Sequence, residues 1–291
     1  MAAPPREWQA VSLRVPARHE DELVGMLAHL VLGIRVEPVE GGISSVELYV
    51  ETEAEVAPLL QTLEAALSRL GIDGDGTRPL VRSVPDGRWV ENYQQSLRPF
   101  EAGARFMIYP GDERPDPASS RMPIILVPGR AFGTGEHETT RLCMAALERH
   151  VVPGSRWLDV GCGSGILSVA ATRLGAVQVT AVDIDPDSVD VCSEVAAVNG
   201  VAGAVQVMEG SLERIAGMEF DGAVVNIHAS FFLQQAVDLP GVLVPGGVLI
   251  CTGFLEKDRR SIAEALEQSG LVVRSSGRDG DWALIVAESS P

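Results

Sequence analysis

The sequence contains little that would mark it as a membrane, secreted or metal-binding protein. No apolar run approaches the ~18–20 residues that a bilayer-crossing helix needs, and the first six residues lack the apolar core of a secretory signal. The cysteines are far apart without C-x-x-C spacing, which indicates neither a zinc site nor a disulfide framework; they are Cys143, Cys162, Cys192 and Cys251. We expect a cytoplasmic protein without a membrane partner, whose cysteines are buried free thiols.

Lysine is nearly absent as well, since only Lys257 among the 23 basic residues is a lysine. We interpret this as a biased composition. The formal net charge is −17, which disfavours nucleic acid and favours a basic partner, so we expect no direct nucleic-acid binding. Acidity of this size is also explained by solubility alone. Charge by itself therefore leaves both interpretations of the acidity open.

With 291 residues the chain is long enough for two domains. The first, residues 1–84, shows the order strand, helix, strand, strand, helix, strand, which is that of a ferredoxin-like α+β sandwich and implies no fixed function. Residues 85–110 are predicted to be a linker with a short helix at Trp89–Leu97. Residues 111–291 are predicted to be the catalytic domain, opening with an exposed loop at Pro110–Pro123.

From about residue 124 the apolar pattern alternates between strands and helices, which predicts an α/β fold with a parallel sheet covered on both faces. The last two strands follow each other so closely that the final one is expected to be antiparallel. The predicted strands are Arg156–Asp159, Gln178–Asp183, Val205–Glu209, Gly222–Asn226, Gly247–Thr252, Val272–Ser275 and Ala283–Ala287.

A glycine-rich turn follows the first strand of this sheet. Gly161, Gly163 and Gly165 come directly after Asp159, at the point where a helix is predicted to begin. Glycines permit unusual φ values and let a ligand approach bare backbone. Dinucleotide folds use G-x-G-x-x-G, whereas the sixth position here is Ile166. The spacing therefore disfavours NAD.

Acidic side chains end the first two strands of this sheet. Asp183 follows Gly165 by eighteen residues, where its carboxylate can accept hydrogen bonds from both ribose hydroxyls. Asp159 can hold the loop or the cationic amino group of a methionine moiety. The glycine turn and these two acids together predict a pocket for S-adenosylmethionine.

Asn226 ends the fourth strand of the sheet, and strand carboxyl ends face the ligand crevice in open α/β folds. Its amide oxygen can accept N–H bonds from an amine substrate. An asparagine that simply ends a strand in a turn is an equally good interpretation.

The loop before the predicted helix Thr139–His150 carries further candidates. Thr139 or Thr140 can cap the helix, and Phe132 can cover a flat ring or a methyl sulfonium. His137 lies between two glutamates, but three adjacent side chains cannot converge on one ion, so we predict no metal site. His137 is either a proton acceptor or an exposed loop residue.

Four runs together resemble the bacterial PrmA family, whose enzymes methylate amino groups of the large-subunit ribosomal protein numbered eleven. They are Ala131–Thr140, Asp159–Leu167, Val182–Pro186 and Val225–Ile227. The resemblance covers nearly the whole chain. It implies a class I S-adenosylmethionine-dependent methyltransferase fold, Rossmann-like with seven strands, behind a small N-terminal domain.

The resemblance also implies site residues. The family's cofactor contacts fall on Thr140, Gly161, Asp183 and Asn226. Two departures concern the acceptor side: Arg130 replaces the usual Met or Leu, and residues 228–231 differ from the family's usual continuation. The cofactor residues themselves are all of the expected type.

The expected reaction is methyl transfer to an unprotonated amine, a lysine side chain or an N-terminal amine of that ribosomal protein. Asn226 would orient the nitrogen, Phe132 would close over the cofactor, and water or His137 would remove the proton. Residues 1–84 would recognise the basic substrate protein. The alternatives are a methyltransferase for another protein lysine or a small amine, and a binding module without enzymatic activity.

Overall fold

The computed structural model describes residues 7–27, 30–31, 33–39, 41–50, 52–72, 78–85, 98–111, 115–127 and 137–290. The chain divides into two compact units, Met1–Ser96 and Leu97–Pro291. No helix within the described ranges is long and apolar enough to cross a membrane.

The first unit has the predicted order of strands and helices. Its sheet has the order β2-β3-β1-β4, and every neighbouring pair is antiparallel. Alternate residues of β1, including Val11 and Leu13, pack into one core with both helices. The ferredoxin-like assignment stays a prediction that this order supports. The elements are β1 Glu7–Pro16, α1 Glu20–Leu27, β2 Gly33–Val39, β3 Ile43–Val50, α2 Glu53–Arg69 and β4 Leu80–Pro85.

The second unit begins with a three-stranded sheet that was not predicted. It consists of β5 Phe100–Ala102, β6 Phe106–Pro110 and β7 Met122–Leu126. The predicted linker ended at residue 110, whereas β5 and β6 lie inside the second unit. The predicted helix at Trp89–Leu97 lies outside the described residues.

A seven-stranded sheet forms the rest of the second unit, in the order β10-β9-β8-β11-β12-β14-β13. The strands are β8 Arg156–Val160, β9 Gln178–Asp183, β10 Val205–Glu209, β11 Phe220–Asn226, β12 Leu243–Leu255, β13 Leu271–Asp279 and β14 Trp282–Ser289. The helices are α3 Glu138–His150, α4 Ile166–Leu174, α5 Pro186–Val198, α6 Ala229–Gln235 and α7 Arg259–Gln268. As predicted, β14 is antiparallel to both of its neighbours.

Apolar cores cover both faces of this sheet, as the sequence pattern predicted. Successive residues of β8 alternate between them, with Trp157 in one core and Leu158 in the other. The first core also contains Phe106, Ile108 and Ile124 of the small sheet, all fully buried. The small sheet is therefore an integral part of the second unit.

Hydrogen bonds from two helices hold the small sheet in place. The Glu148 carboxylate of α3 accepts N–H bonds from Ala104 at 3.0 Å and Arg105 at 2.7 Å. Asn199, at the end of α5, accepts from the Ile125 amide at 2.9 Å and donates to the Ile125 carbonyl at 2.7 Å. These bonds satisfy backbone groups of the β5–β6 turn and of the edge strand β7 that the small sheet itself leaves open.

Candidate active site

The candidate site lies where the order of the large sheet reverses. β8 and β11 are neighbours, but the chain continues from β8 to β9 on one side and from β11 to β12 on the other. Connections that diverge in this way leave a crevice at the carboxyl ends of the strands. The glycine turn follows β8 at this crevice, and Asn226 ends β11 there.

The turn after β8 needs glycine for its backbone conformation and for close packing. Gly161, Gly163 and Gly165 have φ values of 69°, 50° and 76°, a region that other residues rarely adopt. A β-carbon on Gly161 would lie 2.7 Å from the Ile227 side chain, and one on Gly165 would lie 2.7 Å from Cys192 Sγ. The turn is therefore both sharply folded and tightly enclosed.

Hydrogen bonds fix this turn to the end of β9. The Gly161 and Cys162 amides both donate to the Val182 carbonyl, at 2.8 and 3.1 Å. The Gly163 amide donates to Asp183 Oδ2 at 2.9 Å. The glycine turn and Asp183, which the sequence analysis placed in one pocket, thus form one connected structure.

Asp183 is held in a defined orientation by two backbone donors. Its Oδ1 accepts the Asp185 amide at 3.0 Å, while Oδ2 accepts that of Gly163. Partial burial is the largest influence and raises the pKa of Asp183, and these two hydrogen bonds oppose the rise. Because each carboxylate oxygen can accept a second hydrogen bond, the side chain can still receive ligand hydroxyls. Its role toward a ribose stays a prediction.

Asp159 differs from Asp183 because it is almost completely buried, with 1% of its surface exposed. Its Oδ2 accepts a hydrogen bond from the Ser168 hydroxyl of α4 at 2.6 Å. Its Oδ1 is buried without a hydrogen-bond partner in the described part of the chain. Burial is the largest influence on this carboxyl group and raises the pKa of Asp159 to about 7. The Ser168 hydrogen bond opposes the rise, and the negative charge of Asp183 adds to it.

Asn226 lies at the end of β11, paired with Thr252 of β12, and its side chain is half-buried. Within the described ranges no hydrogen bond holds the side-chain amide of Asn226. The next residue is fixed, because the Ile227 amide donates to the Thr252 carbonyl at 3.1 Å. The Ile227 side chain lies over Gly161, so that a β-carbon added to Gly161 would be 2.7 Å from it.

The sequence analysis missed Gly253, which supports this segment from the other side. Gly253 has a φ of 91°, and a β-carbon there would lie 2.5 Å from the Ile227 carbonyl oxygen. The signal was a glycine one residue after the predicted end of the strand Gly247–Thr252. Ile227, directly after Asn226, is therefore enclosed by two glycines, one in the turn after β8 and one within β12.

His137 caps helix α3, a role that the sequence had given to Thr139 or Thr140. Its Nδ1 accepts the Thr139 amide at 3.3 Å and lies 2.9 Å from Thr139 Oγ1. The ring meets Trp282 edge to face with centroids 4.6 Å apart. Burial lowers the pKa of His137, while the charge of Glu138 opposes the change. His137 is thus a partly buried capping residue rather than an exposed loop histidine.

The remaining candidates occupy different positions. Thr140 is buried in the first turn of α3, with 2% of its surface exposed. Phe132 lies outside the described residues. Across the ranges that the structure describes, no three His, Cys, Asp or Glu side chains are grouped so that they could hold a metal ion. The four cysteines are buried free thiols.

Comparisons with known proteins agree over most of the chain. A sequence model of the family described as ribosomal protein L11 methyltransferase (PrmA) matches residues 32–290. The protein of that name from Pelotomaculum thermopropionicum is 39% identical over 247 residues, which cover 84% of this chain and 80% of that protein. The one from Geobacter sulfurreducens is 35% identical over 296 residues, covering 97% and 98%.

A solved structure gives the same result for the fold. The crystal structure of the ribosomal protein L11 methylase from Lactobacillus delbrueckii subsp. bulgaricus has a TM-score of 0.63 and 32% identity to this chain. The similarity covers 67% of this chain and all of that one. The seven-stranded sheet and its reversed final strand are therefore those of a class I methyltransferase.

Proposed function

The chain belongs to the ribosomal protein L11 methyltransferase family, and from this premise we propose that it transfers methyl groups from S-adenosylmethionine to amino groups of ribosomal protein L11. The observation that carries the proposal is the connected structure of the glycine turn, Asp183 and Asp159 at the carboxyl edge of the sheet. When bound, the cofactor supplies an electrophilic methyl group on a sulfonium.

The residues of the site fit this cofactor. The glycine turn leaves backbone without β-carbons, and Asp183 keeps acceptor capacity for ribose hydroxyls. The buried Oδ1 of Asp159 lacks a donor among the described residues, so an ammonium group would satisfy it. By family resemblance Thr140 and Asn226 add further cofactor contacts, and Phe132 would cover the cofactor.

The acceptor amine has to lose its proton before it can attack. A lysine side chain with a reference pKa of ~10.4 is mostly charged at neutral pH, whereas an α-amine near ~8 is partly neutral. Asn226 would orient the nitrogen through its amide oxygen, since no described residue holds that amide. This assigns Asn226 a role in alignment rather than in covalent chemistry.

Water is the available proton acceptor here, because His137 uses its ring lone pair to cap helix α3. Nδ1 of His137 already accepts the Thr139 amide, so the neutral ring carries its proton on Nε2 and offers no free lone pair. Burial lowers the pKa of His137, which favours that neutral form. We therefore propose that His137 positions the start of α3 and that water takes the proton.

Recognition of the substrate protein is proposed for residues 1–84. All the sequence features assigned to the cofactor lie beyond residue 130, in the second unit. The net charge of −17 suits a basic ribosomal protein as partner. A cytoplasmic location would follow from such a substrate. The same pocket would also serve another protein lysine or a small amine.

The direct test is to incubate the purified protein with S-adenosylmethionine and ribosomal protein L11 and to measure the mass of L11. We expect gains in multiples of one methyl group, mapped to lysines or the N-terminus by fragmentation. Labelling of a different band in cell extract by radioactive cofactor would instead support the alternative substrates. Cofactor binding in a calorimeter without turnover on any basic protein would favour a module without enzymatic activity.

A further inference from the structure

A second property of the cofactor site follows from the surroundings of Asp159. The carboxyl group is enclosed at the end of β8, with the Ser168 hydroxyl as its hydrogen-bond donor and with Oδ1 unpaired among the described residues. Ser168 is the one residue among those described that donates to this carboxylate, and burial penalises its negative charge. Burial therefore shifts the equilibrium toward the neutral acid, and an arriving cation would shift it back.

Among the described residues, the titratable groups that face Asp159 do not supply that cation. Asp183, at the end of the neighbouring strand β9, brings a second negative charge. Cys143 of α3 and Cys162 of the glycine turn are close enough to interact with the Asp159 charge. Burial raises the pKa of the Cys143 thiol, and contact with Cys192 together with burial raises the pKa of the Cys162 thiol. Both thiols therefore stay neutral, and no basic side chain of the described ranges is among the groups that shift the pKa of Asp159.

We propose that Asp159 holds a proton in the cofactor-free protein at mildly acidic pH and releases this proton when the ammonium group of S-adenosylmethionine binds beside Oδ1. The inference rests on the cofactor site proposed above and adds coupled proton release, which a cofactor site does not require. Binding and proton release are then one coupled step. The ammonium cation stabilises the carboxylate form of Asp159, because only the ionised form offers the cation an opposite charge.

The sign of the pH dependence follows from this coupling. Binding lowers the pKa of Asp159 from about 7 in the free protein, so cofactor affinity rises with pH until the free carboxyl is itself ionised. For a free pKa of 7, affinity increases about fivefold from pH ~6 to pH ~7 and levels off above it. The released fraction is about 0.9 proton at pH ~6 and about half a proton at pH ~7.

Isothermal titration calorimetry measures this release directly, without turnover. S-adenosylhomocysteine, which keeps the ammonium group, is titrated into the full chain in buffers of different ionisation enthalpy, and the slope gives the number of protons. Adenosine, which lacks that group, is the control ligand and should release none. We expect Asp159→Asn to bind more weakly and to release no proton.

Ser168→Ala separates this role from a merely structural one. The Ser168 hydroxyl stabilises ionised Asp159, so its loss should raise the pH at which affinity levels off, whereas simple damage to the site would lower affinity equally at every pH. Thermal unfolding of both variants checks that they are folded.

Normal binding of S-adenosylhomocysteine by the wild-type protein without proton release would overturn the inference and leave the proposed function intact. Undiminished release from Asp159→Asn would also overturn it, because the proton would then come from another group, such as Asp183. Absence of binding at every pH would count against the proposed cofactor site itself, and the inference would fall with it.

Discussion

Gly253→Ala would place a methyl group against the backbone of Ile227, the residue that follows Asn226. The added β-carbon would lie 2.5 Å from the Ile227 carbonyl oxygen and 2.6 Å from its nitrogen, distances at which the backbone has to move. Because Asn226 precedes that segment, its amide should be displaced. The glycine turn after β8 is a different part of the chain and should be less affected.

Gly246→Ala provides a matched control on the same strand. Gly246 also has a positive φ, 77°, but a β-carbon there would meet nothing within 4 Å. The control therefore carries only the conformational cost of a side chain in the left-handed region, about 1–2 kcal/mol. Gly253→Ala carries that cost and an overpacking cost of about 1–3 kcal/mol.

The two variants are compared by urea unfolding, by calorimetric binding of S-adenosylhomocysteine and by steady-state turnover on ribosomal protein L11. We expect Gly253→Ala to be the less stable by roughly 1–3 kcal/mol and to lose kcat far more than cofactor affinity. Equal stability of the two variants, or full turnover by Gly253→Ala, would refute the role given to the contact with Ile227.

Three further predictions concern the proposed roles. Asp183→Ala should weaken cofactor affinity by roughly 1–3 kcal/mol, because ribose hydroxyls would lose a buried acceptor; calorimetry that finds unchanged affinity would remove Asp183 from the site. Asn226→Ala should lower kcat more than cofactor affinity if its amide orients the amine, and equal losses would make it an ordinary cofactor contact. A chain beginning at Pro85 should bind the cofactor within a few-fold of the full chain yet lose most methylation of L11, and methylation at the full rate would exclude recognition by residues 1–84.

The sequence by itself determined those features that depend on neighbours in the chain. The strands Gln178–Asp183 and Val205–Glu209 have the predicted bounds, because each is marked by its own local pattern. The first is buried over four successive residues, and the second alternates apolar and polar residues over positions 205–207. The turn at Gly161–Gly165 was predictable because only glycine adopts its φ values readily. The family was recognised correctly because its motifs are short runs of neighbouring residues.

Tertiary structure alone decided the features that join distant residues. Strands β5 to β7 pair with one another outside the large sheet. They depend on burial and on bonds from Glu148 and Asn199, which the pattern of each segment does not reveal. The contact of Gly253 with Ile227 and the unpaired oxygen of Asp159 likewise arise where separate strands lie side by side. A residue's period and φ preference are local, whereas its burial and its hydrogen-bond partners depend on which elements the fold packs against it.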